Sequence, residues 1–243
     1  MKKAAFVEMQ FLDHLEELRW RVIKSAITIV LFAIPCGIFW KEIFDLVMIY
    51  PLRFINPRPK LIFTTPSECV IISFQIAICG GLIIASPVVF YQLWRFVSPG
   101  LYKNEKKLVL PTVIASTVFF LAGILFCYFT FPLVMNFLVS YAGNRIEAMF
   151  KADEYFGFLL KLSVSFGLVF ELPVISFVLS KMGVLTAGFL IKHIRYAIVI
   201  IFIVAAILTP PDVFSQCVLA APLFVLYGLS ILIAAWHQRK RRS

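Results

Sequence analysis

Tyr196-Ala-Ile-Val-Ile-Ile-Phe-Ile-Val-Ala-Ala-Ile-Leu-Thr-Pro-Pro-Asp-Val-Phe-Ser-Gln216 is an apolar run broken by two prolines and an acid. Pro210 and Pro211 remove two backbone donors and cannot sit inside one helix. Thr209-Pro-Pro-Asp212 therefore reads as a tight turn between two helices. The segment Tyr196–Pro211 holds 16 uncharged residues, about 24 Å of helix at ~1.5 Å per residue. That falls short of a ~30 Å hydrocarbon core. A span here implies local bilayer thinning or burial behind neighbouring helices.

The same pattern recurs along the chain. Cys69–Trp94, Leu108–Asn144 and Val213–Trp236 carry no charge. The 243 residues are 61% hydrophobic and 15% charged, with a mean hydropathy of +0.94. A soluble domain of this length is far more polar. Long apolar runs call for spanning helices, because strands would show ~10-residue alternation. Six spans are expected, at about 22–40, 70–93, 108–131, 155–180, 195–209 and 214–234. They form one polytopic domain over 1–243, preceded by an amphipathic segment 1–21 and followed by a basic tail 235–243. The third helix is expected to end near Pro132, with 133–138 along the outer surface.

Lys and Arg set the orientation. One set of loops carries sixteen, the other six, and Lys161 lies inside a span. The positive-inside rule puts both termini in the cytoplasm. The rule and anionic lipid account for the +10 charge, so it makes no case for nucleic acid. The five cysteines form no CxxC and read as small core residues. Met-Lys-Lys-Ala-Ala-Phe6 shows no signal or transit peptide pattern.

Enzyme chemistry lacks its signatures. There is no GxxxxGK[ST], HExxH or GxSxG, and His14, His193 and His237 are scattered. No metal, cofactor or catalytic residue is expected.

Three polar features stand out. In Phe11-Leu-Asp-His-Leu-Glu-Glu-Leu-Arg-Trp-Arg-Val22, Phe11, Leu15, Leu18 and Val22 repeat at helical spacing, as in a helix lying on the membrane surface. Its acids, Asp13, Glu16 and Glu17, are unusual beside an anionic leaflet. In the loop after the second span, Glu105 is the one acid among Lys103, Lys106 and Lys107. It is either a local ion pair or a carboxylate held ready for a cation. Glu171 lies deep in the fourth span, two residues before Pro173. An acid there costs at least ~2.5–3.5 kcal/mol if it faces lipid, so it should face a cavity or another subunit. Pro173 and Pro87 are expected kink positions. Asp212 is placed to cap the sixth span, and Lys161 to snorkel outward.

Four segments carry a resemblance. His14-Leu-Glu-Glu-Leu-Arg19, Trp94-Arg-Phe-Val-Ser-Pro-Gly-Leu-Tyr-Lys-Asn-Glu105, Phe166-Gly-Leu-Val-Phe-Glu-Leu-Pro173 and Thr209-Pro-Pro-Asp-Val-Phe-Ser-Gln216 resemble, in order, motifs of the TatC family. TatC is the polytopic subunit of the twin-arginine protein translocase. The likeness covers nearly the whole chain. It departs after Thr65-Pro-Ser-Glu68, where Cys69-Val70 stands in place of the family's aromatic.

The resemblance implies a concave bundle with short fifth and sixth spans. It also implies a receptor for signal peptides bearing paired arginines, driven by the proton motive force. Glu17 and Glu105 are then the expected acceptors of those arginines, since carboxylates bind the guanidinium fork in a way lysine cannot copy. Phe96, Leu101 and Lys103 would line the pocket, and Arg19 would orient Glu17 or bind lipid phosphate. Glu171, Thr209, Asp212 and Gln216 would meet the passenger or the single-span partners TatA and TatB. A homo-oligomer within the complex and a bacterial plasma (inner) membrane are implied, with an organelle-encoded copy also open. The alternatives are an ion-coupled small-molecule transporter and a membrane scaffold. Against the transporter stand the lack of an evident inverted repeat and the scarcity of polar residues in the spans.

Overall fold

The structure is a computed structural model that describes residues 2–56, 59–97, 109–142, 147–209 and 212–242, with side chains from His14 to Arg239 apart from Ala142. It contains ten α-helices and one short parallel strand pair among these residues. Five helical segments are long and apolar enough to cross a membrane, and a sixth apolar helix is shorter.

The chain falls into two compact units. The first comprises Met1–Trp40 and Phe74–Thr117. Its main elements are α1 (Lys2–Ile38), which joins the amphipathic segment and the first span in one helix, and most of α4 (Glu68–Val97). The backbones of α1 and α4 touch. A Cβ added to Gly81 would lie 2.7 Å from the carbonyl oxygen of Ile29 and 2.9 Å from Cα of Ala33. Small residues permit such approaches between spanning helices. Pro87 does not interrupt α4. The carbonyl it leaves without a backbone donor is that of Ile83, and the Ser86 hydroxyl donates to it at 2.7 Å.

The second unit comprises Lys41–Ser73 and Val118–Ser243. It opens with α2 (Trp40–Phe44), a π-helical turn over Asp45–Ile49, and α3 (Tyr50–Leu52). The Tyr128 hydroxyl donates to the carbonyl of Leu46 in that turn at 2.7 Å. Strand β1 (Lys60–Ile62) pairs in parallel with β2 (Met149–Lys151).

Helix α5 (Val109–Ala142) runs on through Pro132 instead of stopping there. Phe131, Val134, Met135 and Val139 are all buried on one face. That packing outweighs the one hydrogen bond the proline removes. Helices α6 (Ala152–Val169) and α7 (Leu172–Lys181) form the fourth span, and α8 (Ala187–Lys192) is a short connector.

The fifth span, α9 (Ile194–Leu208), is short as expected, at 15 residues. The sixth is not short: α10 runs from Val213 to Arg242, 30 residues. The basic tail simply continues the helix, because Lys, Arg and Gln are good helix formers. Cys36 and Cys127 are buried, whereas Cys69 and Cys217 are exposed, so not all the cysteines are core residues.

Candidate functional site

The first candidate site lies where the polar start of α1 meets the end of α4. His14, Glu17 and Arg21 are spaced three and four apart, which puts them on one helical face. The His14 ring stacks on Phe96 with centroids 4.4 Å apart and an interplanar angle of 12°. One turn further on, Arg21 donates to Glu17 through Nε, at 3.0 Å, and through Nη2. Its Nη1 lies 3.5 Å from Oε1 of Gln92. Gln92 and Phe96 are themselves four apart on α4, so two contacts, one above the other, join the helices.

Glu17 stands ahead of the apolar run that begins at Val22. The hydrogen bond from Arg21 is the main cause holding its carboxyl below the ordinary range; burial opposes this, and the charges of Arg21, His14 and Arg95 add to it. The acid is therefore an anion with cations around it.

Of the two roles expected for Arg19, orienting Glu17 or binding lipid phosphate, the first is not what the geometry favours. Arg19 sits two residues on, about 200° round the helix, and is exposed. Arg21 takes that place. The i,i+4 spacing of Glu17 and Arg21 was the signal that would have found it. Phe96 is at the site. Leu101, Lys103 and Glu105 lie outside the described residues. In the last turn of α4 the indole Nε1 of Trp94 donates to Ser116 Oγ at 2.7 Å in the buried interior.

The second set of polar residues belongs to the other unit. Glu171 is buried, 5% exposed, in the break between α6 and α7. The break falls just before Pro173, one of the two expected kink positions. Glu171 N–H donates to the Leu168 carbonyl at 3.1 Å, a tightened turn, before Ile175 N–H resumes the helix on the Glu171 carbonyl at 2.9 Å.

Three side chains bind carbonyls in the last two turns of α9, and that of Ala205 also accepts from the Thr209 N–H at 3.0 Å. Lys161 Nζ donates to the Ile207 carbonyl at 2.7 Å, Gln216 Nε2 to that of Phe202 at 3.0 Å, and Thr209 Oγ1 to that of Ala205 at 2.9 Å. Gln216 thus uses one of its two amide hydrogens within the chain. Lys161, expected to snorkel, meets the negative end of a helix dipole. Asp212 Oδ1 accepts from Ser215 N–H at 2.7 Å and caps α10 as expected.

Glu68 was not anticipated as a site residue. It is 1% exposed. Its Oε1 accepts from the backbone N–H and hydroxyl of Thr64 (3.1 and 2.7 Å) and of Thr65 (both 2.9 Å). Lys151 Nζ lies 3.6 Å away and also donates to Asp153 at 3.1 Å. That hydrogen bond is the main cause raising the Lys151 ammonium above its ordinary range. The signal was a Thr three residues before a Glu at a helix start. Among the described residues no three His, Cys, Asp or Glu side chains gather as a metal site.

The comparisons with known proteins agree with one another. Residues 13–222 match the family model described as Sec-independent protein translocase protein (TatC). The chain is 43% identical over 222 residues to the Sec-independent protein translocase protein TatC of Helicobacter pylori strain J99, covering 91% of this chain and 87% of that one. It is 39% identical over 241 residues to the protein of the same name from Aquifex aeolicus, covering 97% and 98%. A crystal structure of the twin-arginine translocase receptor TatC superposes with a TM-score of 0.82 at 38% identity, covering 93% of this chain and 99% of that one.

Proposed function

The chain belongs to the TatC family of Sec-independent protein translocase proteins, and from that premise we propose that it is the core and signal-peptide receptor of a twin-arginine translocase. It is a multi-pass membrane protein of that system. In this reading it exports folded proteins across a bacterial inner membrane, with both termini cytoplasmic, using the proton motive force.

The observation that carries the site assignment is the fixed geometry at the α1–α4 junction. Glu17 is held by Arg21, which reaches Gln92, on the same face as His14, which stacks on Phe96. It is anionic and partly open to solvent, which is what an incoming guanidinium needs. We assign Glu105 as the second arginine acceptor, with Phe96, Leu101 and Lys103 around it. Arg19, exposed on the other face of α1, is left for lipid phosphate.

The outer end of α9 and α10, with Thr209, Asp212 and Gln216, is the surface offered to TatA and TatB. Glu171 supplies a polar group within the bilayer at the α6–α7 break, for the passenger or for TatA.

The test is binding of a labelled signal peptide to the purified full chain. The peptide carries Arg-Arg, with a Lys-Lys version as control. Preferential Arg-Arg binding that is lost in Glu105→Ala and weakened in Glu17→Gln supports the reading. Equal binding of both peptides by folded protein counts against it.

A further inference from the structure

The Glu17 carboxylate already holds an arginine. Nε and Nη2 of Arg21 converge on the same oxygen, Oε1. The acid lies four residues N-terminal to the base, the favoured order on a helix. The Arg21 side chain is 13% exposed and that of Glu17 38%, so the guanidinium lies inside and the carboxylate faces outward. A second acceptor waits beside it: Gln92 Oε1 is 3.5 Å from Nη1. On the other side, Oε2 lies 3.9 Å from Nδ1 of His14.

We infer that Arg21 is a resident stand-in for the arginine of the incoming peptide, occupying Glu17 while the site is empty and moving to Gln92 when the peptide arrives. This rests on Glu17 being a peptide-binding residue. Two guanidinium groups converging on one carboxylate repel each other, and Oε1 already accepts two bonds. A newcomer that pairs fully with Glu17 must evict Arg21. The evicted cation is the more buried of the pair, so it needs an acceptor in place, and Gln92 supplies one on the neighbouring helix.

Competition of this kind has a definite arithmetic. The apparent affinity is the intrinsic affinity multiplied by the fraction of molecules in which Glu17 is vacated. Any arriving cation evicts the same arginine, so the cost is common to all peptides. Arg21 thereby sets how tightly peptides bind without setting which are preferred. Discrimination between arginine and lysine belongs to the carboxylates themselves.

The experiment uses the full chain and the labelled Arg-Arg and Lys-Lys peptides. Arg21→Met keeps the apolar stem and vacates Glu17. Both peptides should bind about two- to tenfold more tightly, by the same factor, with their ratio unchanged. Arg21→Lys keeps the charge but loses the fork, and should give a smaller gain in the same direction. Gln92→Leu should weaken binding in the parent chain and have no effect in Arg21→Met.

Unchanged or weaker binding in folded Arg21→Met or Arg21→Lys, with Glu17→Gln still impaired, overturns the inference and makes Arg21 a residue that only positions Glu17. Unequal gains for the two peptides overturn the common-cost argument. If Arg21→Met does not fold, Arg21→Lys decides. If Glu17→Gln leaves binding intact, the Glu17 assignment itself fails and this inference goes with it.

Discussion

The indole Nε1 of Trp94 donates to the hydroxyl of Ser116 at 2.7 Å, and both residues are buried. Trp94 sits in the last turn of α4 and Ser116 in the third turn of α5. Leu101, Lys103 and Glu105 lie between them in sequence, so this bond ties together the two helices that flank the proposed receptor loop. Trp94→Phe keeps an aromatic ring but loses the donor and part of the buried indole volume, a loss of at least about 1 kcal/mol. Ser116→Ala leaves a buried N–H unsatisfied and should cost about 1–3 kcal/mol. The double variant should cost less than the sum. Thermal unfolding in detergent measures this. Arg-Arg peptide binding should fall in both single variants, although neither touches the peptide.

Gly81 sets how closely α1 lies on α4. Its hydrogen points at the Ile29 carbonyl, where a Cβ would come within 2.7 Å. Gly81→Val must push the helices apart, since the obstruction is backbone and cannot rotate away. A destabilisation of about 1–3 kcal/mol is expected. The same displacement draws Arg21 from Gln92 and His14 from Phe96, so peptide binding should drop. A variant that binds peptide normally at full stability would show that α1 and α4 are not held by this contact.

Glu68 organises the start of α4 through four bonds to one oxygen. Glu68→Ala should lower the melting temperature more than Thr64→Ala or Thr65→Ala alone, because it strands all four donors at once. Lys151 adds to this corner, and its raised ammonium pKa gives the sign of the pH dependence. Its contribution is complete below the ordinary lysine range and is lost as pH rises through the raised value. The melting temperature difference between the parent and Lys151→Met should therefore stay constant through neutral pH and shrink only in strong alkali.

The spans were legible because charge is excluded from the bilayer core, so Cys69–Trp94 and Val213–Trp236 announce themselves by what they lack. Helix ends were less legible. Pro132 looked like a terminus, but the buried Phe131, Val134 and Met135 carry α5 past it. Local pairs are readable from spacing, and Glu17–Arg21 at i,i+4 is one, whereas Arg19 shares a motif with Glu17 but not its helical face. The β1–β2 pair and the Lys151–Glu68 contact were beyond reach. Their partners are more than eighty residues apart in sequence, and short strands carry no periodicity of their own.

The short α9 invites the last test. It has 15 residues, about 22 Å at ~1.5 Å each, against a ~30 Å core. The structure shows that its end is not simply free to extend. Lys161 and Gln216 bind its carbonyls at Ile207 and Phe202, so neighbouring helices hold α9 at this length. Four leucines inserted before Ile207 would lengthen the helix by about 6 Å and carry the Ile207 carbonyl more than one turn beyond the reach of Lys161. If a thin wall at α9 helps deform the bilayer for passage of a folded protein, export should fall while signal-peptide binding, proposed at the α1–α4 junction, stays intact. Lys161→Met breaks the same tether without adding length, and it separates the two causes. Export lost in the insertion but kept in Lys161→Met assigns the effect to span length. Export lost in both assigns it to the tether. Normal export in the insertion variant removes the short span from the mechanism.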